Sequence, residues 1–323
     1  MSTLAPAADL EELANRSAMP ESSWEELASR PAIVPWRQLR NDFIEAVAAE
    51  FSCWISPDQP HFRDQLLVAV GRFDHGVRLL YDVVPPAAGP VRVLDVGSGN
   101  GGVSLAFAND PSHVVYGLDL VPNVHARAIR QRIPVPIAPV VGDGSALPFA
   151  SGSLDLVLLI DVLEHMRAPA EAAAEIMRVL RPGGRCILLT PPRVPLLFRP
   201  DPHYGIRGLL LFPNGVQRQI VNRLFRRRIH TPSGEEHPAY DVEHIYWHPG
   251  EITRLFPGPK TVDVLYDRSY HPPGRFTWWM IRRRDLALEE IRYRLRRLSF
   301  GHIIIHKGEP DAGAPVYDRL MSA

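Results

Sequence analysis

The feature that most constrains this chain is an apolar run, Val91–Val96, that leads directly into Asp95-Val96-Gly97-Ser98-Gly99-Asn100-Gly101-Gly102 and then into a helical pattern. Glycines at these places let the backbone turn tightly after a strand and let a ligand come close to the main chain at a helix start. Two ligand patterns are satisfied at once. Gly97, Gly99 and Gly102 have the G-x-G-x-x-G spacing of a dinucleotide loop, while Asp95, Gly97, Gly99 and Gly101 read D-x-G-x-G-x-G.

The surroundings of this loop repeat one theme. Short apolar runs at Val91–Val96, His113–Leu118, Ile137–Val141, Leu154–Ile160 and Arg185–Thr190 alternate with helical stretches that begin near Gly101, Pro122 and Ala168. Continuously apolar strands separated by helices predict a parallel sheet covered on both faces, a doubly wound α/β domain with its ligands at the carboxyl ends of the strands. Upstream, apolar residues recur at three- and four-residue intervals (Phe43, Val47, Phe51; Leu66, Val70, Phe73, Val77, Leu80) and predict two helices over Trp36–Trp54 and His61–Val84, the second stopped by Pro85-Pro86.

Further motifs separate the two loop patterns. Asp119 closes the second strand, where a carboxylate accepts from ribose hydroxyls in either case. Asp143, in Val141-Gly142-Asp143-Gly144 after the third strand, can accept from an adenine amino group, for which a dinucleotide site has no use. The fourth strand ends in Asp161-Val162-Leu163-Glu164-His165, and the fifth is introduced by Arg178-Val179-Leu180-Arg181-Pro182-Gly183-Gly184-Arg185. Together these residues resemble the class I S-adenosylmethionine-dependent methyltransferases, in particular the group acting on small molecules and lipid-like substrates. The resemblance covers Val91 to Pro192, with a looser extension to His302–His306.

It implies a Rossmann-like methyltransferase sheet with a helical N-terminal extension and a substrate-capping insertion, using S-adenosyl-L-methionine. Asp95, Gly97, Ser98, Gly99, Asn100 and Gly101 would hold its methionine part and Asp119 its ribose. Asp143 would hold the adenine, flanked by Leu120 and Gly144, and Asp161 would lie near the sulfonium, whose charge favours carboxylates. No metal site is expected. The implied organisation is a loose leader at 1–35, the helical extension at 36–86, the cofactor-binding core at 87–192, the cap at 193–259, closing strands and a basic helix at 260–309, and a tail at 310–323.

Methyl transfer to a hydroxyl needs alignment and removal of one proton, for which histidine is suited. His165 just past the fourth strand, His203 and Tyr204 in Asp201-Pro202-His203-Tyr204-Gly205, and His244 in Glu243-His244-Ile245-Tyr246-Trp247-His248 are the catalytic candidates, with His237 a further histidine of the cap. Beyond Pro192 the pattern also predicts a mostly helical stretch from Ile206 to Arg228, a polar loop over Thr231–Pro238, strands at Thr261–Tyr266 and His302–His306, and a basic helix around Leu286–Leu298.

Composition narrows the partners. The 36 Lys+Arg balance 36 Asp+Glu, but residues 1–192 carry 15 basic and 22 acidic side chains whereas 193–309 carry 20 and 12. The arginine-rich third opens a nucleic-acid methyltransferase as the main alternative. Against it, Asp161-Val162-Leu163-Glu164 lacks the Asn/Asp-Pro-Pro-aromatic signature of exocyclic-amine methylation, so nucleic acid is not the expected partner. A non-catalytic cofactor-binding protein is the second alternative, opposed by the intact glycines and carboxylates. The apolar face and arginine cluster of 209–228 could instead meet an anionic membrane or a lipid-carrier phosphate, or form a solvated basic face.

Two cysteines without metal-ligand spacing, the absence of a basic-then-apolar start and the lack of a membrane-length apolar run fit a cytoplasmic protein. The preference for arginine over lysine points to GC-rich coding and a bacterial source. The expected acceptor is a small or lipid-linked molecule, most simply a hydroxyl of a sugar or secondary metabolite. Oligomeric state is not encoded in any of these features.

Overall fold

A computed structural model of the chain describes residues 24–25, 27–57, 59–82, 89–122, 124–190, 206–224, 229–230, 236–237, 249–264 and 302–308. They fall into two compact units, 24–157 and 158–308.

The first unit begins with packed chain. Trp24, Leu27 and Val34 are buried, the Arg30 guanidinium donates to the carbonyls of Leu80 and Tyr81 at 2.8 and 3.2 Å, and Val34 and Asn109 exchange two hydrogen bonds of 2.9 Å. Residues 24–25 and 27–35 of the leader are thus anchored, and 1–23 lie outside the described residues. Their apolar anchors are too widely spaced to show a period.

Helices α1 (Trp36–Phe51) and α2 (Pro60–Asp82) follow the predicted spacing. Leu39, Phe43 and Val47 of α1 and Leu66, Phe73, Val77 and Leu80 of α2 are almost fully buried, and the Phe43 and Phe73 rings stack at 5.2 Å. Arg40 and Asp74 bridge the two helices inside this apolar layer through bonds of 2.6 and 2.9 Å.

Strand β1 (Val91–Val96), α3 (Gly102–Ala108), β2 (His113–Asp119), α4 (Val124–Arg132) and β3 (Ala138–Val141) complete the α/β part of this unit. The sheet order on this side is β3-β2-β1-β4, where β4 is Leu154–Ile160 and continues into the second unit. β1, β2 and β3 pair in parallel. Pro139 sits in β3 at the sheet edge, where a missing N–H is tolerated.

Helix α2 lies directly on α3 because two glycines let their backbones touch. A Cβ at Gly76 would come within 3.0 Å of both Val103 Cα and Ala106 Cβ, and one at Gly102 within 3.1 Å of the Phe73 backbone nitrogen and 3.3 Å of the Ala69 carbonyl. Since the obstacles at Gly102 are main chain, Gly102→Ala is expected to lose about 1–3 kcal/mol in urea unfolding by forcing the helices apart. A loss below about 0.5 kcal/mol would mean that the contact can relax freely.

The second unit holds a 3₁₀ turn at Leu163–His165, α5 (Pro169–Val179), β5 (Leu180–Leu189), a 3₁₀ turn at Leu209–Leu211, α6 (Asn214–Leu224), a two-stranded hairpin of β6 (Ile229–His230) and β7 (Glu236–His237), α7 (Pro249–Thr253), β8 (Lys260–Val264) and β9 (Ile303–Lys307). The sheet order here is β4-β5-β9-β8; counting β4 once, the mixed sheet has seven strands among the described residues.

β9, near the strand predicted at His302–His306, runs antiparallel to both β5 and β8. Ile303, Ile304 and Ile305, which alternate between the two faces of the sheet, are all buried, so β9 reads as continuously apolar because both its faces are covered, whatever its direction. β5 starts five residues before the predicted Arg185, because Arg181-Pro182-Gly183 extends the strand where it is half-exposed and carries no apolar signal. Of the mostly helical stretch predicted from Ile206 to Arg228, the described residues 206–224 hold the 3₁₀ turn and α6. Leu286–Leu298 lies outside the described residues.

Candidate functional site

The parallel register of the first unit brings the ends of β1, β2 and β3 to one edge, with Val96 opposite Leu118 and Asp119 opposite Val141. The loop after β1 folds back on β2: the Gly97 and Ser98 N–H groups both donate to the Leu118 carbonyl, at 2.8 and 3.0 Å, and the Gly101 N–H donates to the Ser98 carbonyl at 2.9 Å. This path needs φ of +70° at Gly97, +52° at Gly99 and +86° at Gly101, values that residues with a Cβ rarely adopt. Gly117 faces the loop, and a Cβ there would lie 3.1 Å from Ser98 Oγ.

Asp119 ties the loop to the second strand. Its Oδ2 accepts from the Gly99 N–H at 3.0 Å and its Oδ1 from the Leu120 N–H at 2.9 Å, and the carboxylate stays half-exposed. One turn further along the edge, Asp143 Oδ1 accepts from the Ser145 N–H and hydroxyl, each at 2.8 Å, with Gly144 buried beside it. Leu120 and Val141 are exposed to 68% and 57%. Exposed apolar side chains next to two oriented carboxylates suit a flat heteroaromatic ring attached to a polyhydroxylated sugar.

Asp95 sits beneath the loop, 3% exposed, with Ser104 Oγ donating to its Oδ2 at 2.5 Å. Burial pushes its carboxyl up to about 6, against the Ser104 hydrogen bond and the positive charge of Arg72, while Asp119 adds to the rise. Sequence alone does not single out Arg72. It comes from α2, and its Nη1 lies 3.9 Å from where a Cβ on Gly99 would stand. An open glycine cradle, a fixed carboxylate, an apolar shelf and a nearby guanidinium fit the methionine, ribose and adenine parts of S-adenosylmethionine.

The family described as a methyltransferase domain matches residues 94–188. An uncharacterized methyltransferase of Mycobacterium marinum is 40% identical over 189 residues, covering 58% of this chain and 68% of that protein. The chain belongs to the class I S-adenosylmethionine-dependent methyltransferases. A demethylmenaquinone methyltransferase of Renibacterium salmoninarum is 34% identical over 122 residues (38% of this chain, 50% of that protein), and a 2-methyl-6-phytyl-1,4-hydroquinone methyltransferase of a Synechocystis species is 38% identical over 104 residues (32% of each). The chain spans half or less of the length of these two relatives.

In the second unit of the methyltransferase, Asp161 directly follows β4 with φ +52°, the one non-glycine residue with positive φ among those described, and its N–H donates to the Leu189 carbonyl at 2.9 Å. Strained backbone of this kind concentrates at functional sites. Glu164 is buried and accepts from Thr190 Oγ1 at 2.9 Å, and His165 is half-buried at the end of the 3₁₀ turn. His203, Tyr204 and His244 lie outside the described residues, as do the rest of Asp201–Gly205 and Glu243–His248. No helix among the described residues is long and apolar enough to cross a membrane.

Proposed function

We propose that this methyltransferase moves a methyl group from S-adenosylmethionine to a hydroxyl of a small-molecule or lipid-linked acceptor. The observation that carries the cofactor half is Asp119, whose two oxygens are aimed by the Gly99 and Leu120 N–H groups while lone pairs remain for ribose hydroxyls. Bound there, S-adenosylmethionine supplies a methyl carbon already activated by its sulfonium leaving group. The chain's own part is to bind, orient and deprotonate. The loop Gly97-Ser98-Gly99-Asn100-Gly101 and Asp95 would hold the cofactor's amino-acid end, with Arg72 the candidate for its carboxylate. Leu120 and Gly144 flank the adenine, and Asp143 accepts from its amino group. For the sulfonium the candidate is Asp161, and for taking the acceptor's proton it is His165, with His203, Tyr204 and His244 the cap's candidates.

The names of the relatives support beginning an acceptor screen with hydroquinones, including a phytyl-bearing one, beside glycosylated metabolites. Titration of the purified protein with S-adenosylmethionine in a calorimeter tests the cofactor assignment first. A hydrogen bond to a charged group is worth about 1.5–3 kcal/mol, so Asp119→Ala is expected to weaken binding roughly 10- to 100-fold. Asp143→Ala should weaken it by about tenfold, because Asp143 is exposed and makes one such contact. Binding that both substitutions leave unchanged, or a preference for NAD, would overturn the proposal.

A further inference from the structure

We infer that the segment 209–224 of the second unit docks the protein on an anionic lipid surface. The segment has two faces. Leu209, Gln217 and Val221 are buried and anchor it, whereas Leu211, Phe212 and Val216 are exposed to 58%, 45% and 39%. Large apolar side chains gathered on a surface mark an interaction site.

Their presentation is fixed. Gly208, at φ +75°, opens the 3₁₀ turn, and its carbonyl accepts from the Leu211 N–H at 3.1 Å. The buried Gln217 amide then donates to the Phe212 carbonyl at 2.7 Å, tying the tip to the first turn of α6. Leu211 and Phe212 are therefore held outward by the fold.

Charge decides the occupant. From Ile206 to Leu224 the chain carries three arginines (Arg207, Arg218 and Arg223) and no Asp or Glu. Arg207 and Arg223 are exposed, and Arg223 lies seven residues from Val216, on the same side of α6 and away from Gln217 and Val221. An apolar tip continued by arginines matches a bilayer with acidic headgroups, where Leu and Phe enter the acyl boundary and guanidinium groups stay at the phosphates. A neutral apolar partner would not engage the exposed Arg207 and Arg223 guanidinium groups. Docking of this kind would bring the enzyme to acceptors dissolved in the membrane, yet it does not depend on which acceptor is methylated.

Co-sedimentation of the full chain with phosphatidylcholine vesicles, with and without phosphatidylglycerol, tests this. Binding is expected only with phosphatidylglycerol and should weaken with salt. Leu211→Ser with Phe212→Ser should reduce it at least tenfold. Arg207→Gln and Arg223→Gln should each reduce it about fivefold, the equivalent of ~1 kcal/mol per arginine. All variants should keep the wild-type thermal midpoint and affinity for S-adenosylmethionine, which separates failure of docking from failure of the cofactor assignment. The inference is overturned if the wild type does not sediment with either vesicle, or if the Leu211/Phe212 variant binds as well as the wild type. It is equally overturned if that variant changes only self-association in sedimentation velocity, which would assign the face to a second copy of the chain.

Discussion

Replacing Arg40 by methionine is expected to cost about 3–5 kcal/mol of stability, because it leaves the Asp74 carboxylate buried without its cation. The pair is 3% and 4% exposed and bidentate, with Nε on Oδ1 and Nη2 on Oδ2, so water cannot replace the lost partner without opening the α1–α2 layer. The thermal midpoint should fall on the order of 10 °C. The double variant Arg40→Met, Asp74→Leu removes both charges from the same apolar surroundings and should recover to within about 1 kcal/mol of the wild type. The consequence reaches the site, since α2 carries Arg72 toward the glycine loop and meets α3 at Gly76 and Gly102. A loss under about 1 kcal/mol for the single variant would show that the carboxylate finds solvent, and that the pair does not lock the helices.

What was legible in the sequence follows from how locally each feature is determined. Val91–Val96 and Leu154–Ile160 are read to the residue, because buried strands are apolar throughout and end abruptly in turn residues. α1 and α2 are read nearly as well from their period. The direction of β9 was not legible, because burial on both faces makes an antiparallel central strand as apolar as a parallel one. The anchoring of 24–35 was not legible either, since it depends on Asn109 and on the carbonyls of Leu80 and Tyr81, distant in sequence. For the site, the glycine loop, Asp119 and Asp143 follow from strand ends alone. Arg72 does not: its place depends on how closely α2 lies on α3, which is set by two glycines whose neighbours only the fold reveals. Asp95 was legible as part of the loop motif, but its bond to Ser104 and its burial were not.

That burial gives Asp95 a measurable pH signature. A carboxyl that titrates near 3.8 in the unfolded chain and at about 6 in the folded one keeps its proton on folding across that interval. The folded state then binds more protons than the unfolded state, so this group's contribution to stability falls as pH rises from about 4 to 6 and levels off above, a cost of ~3 kcal/mol by neutral pH. Asp95→Asn keeps an acceptor for Ser104 Oγ and removes the ionisation. Its urea midpoint should gain on the wild type steadily over that interval and hold the gain above it; curves that stay parallel would place the titration elsewhere. Arg72 already draws the carboxyl down, and the net positive charge of S-adenosylmethionine in the proposed cradle would draw it further. Calorimetric binding near pH 6 is therefore expected to release a proton, seen as a dependence of the binding enthalpy on the ionisation enthalpy of the buffer, and Asp95→Asn should abolish that dependence. Part of the free energy withheld from folding by a buried carboxylate is thus recovered when its cation arrives, which is how an acid that destabilises the empty loop can strengthen the loaded one.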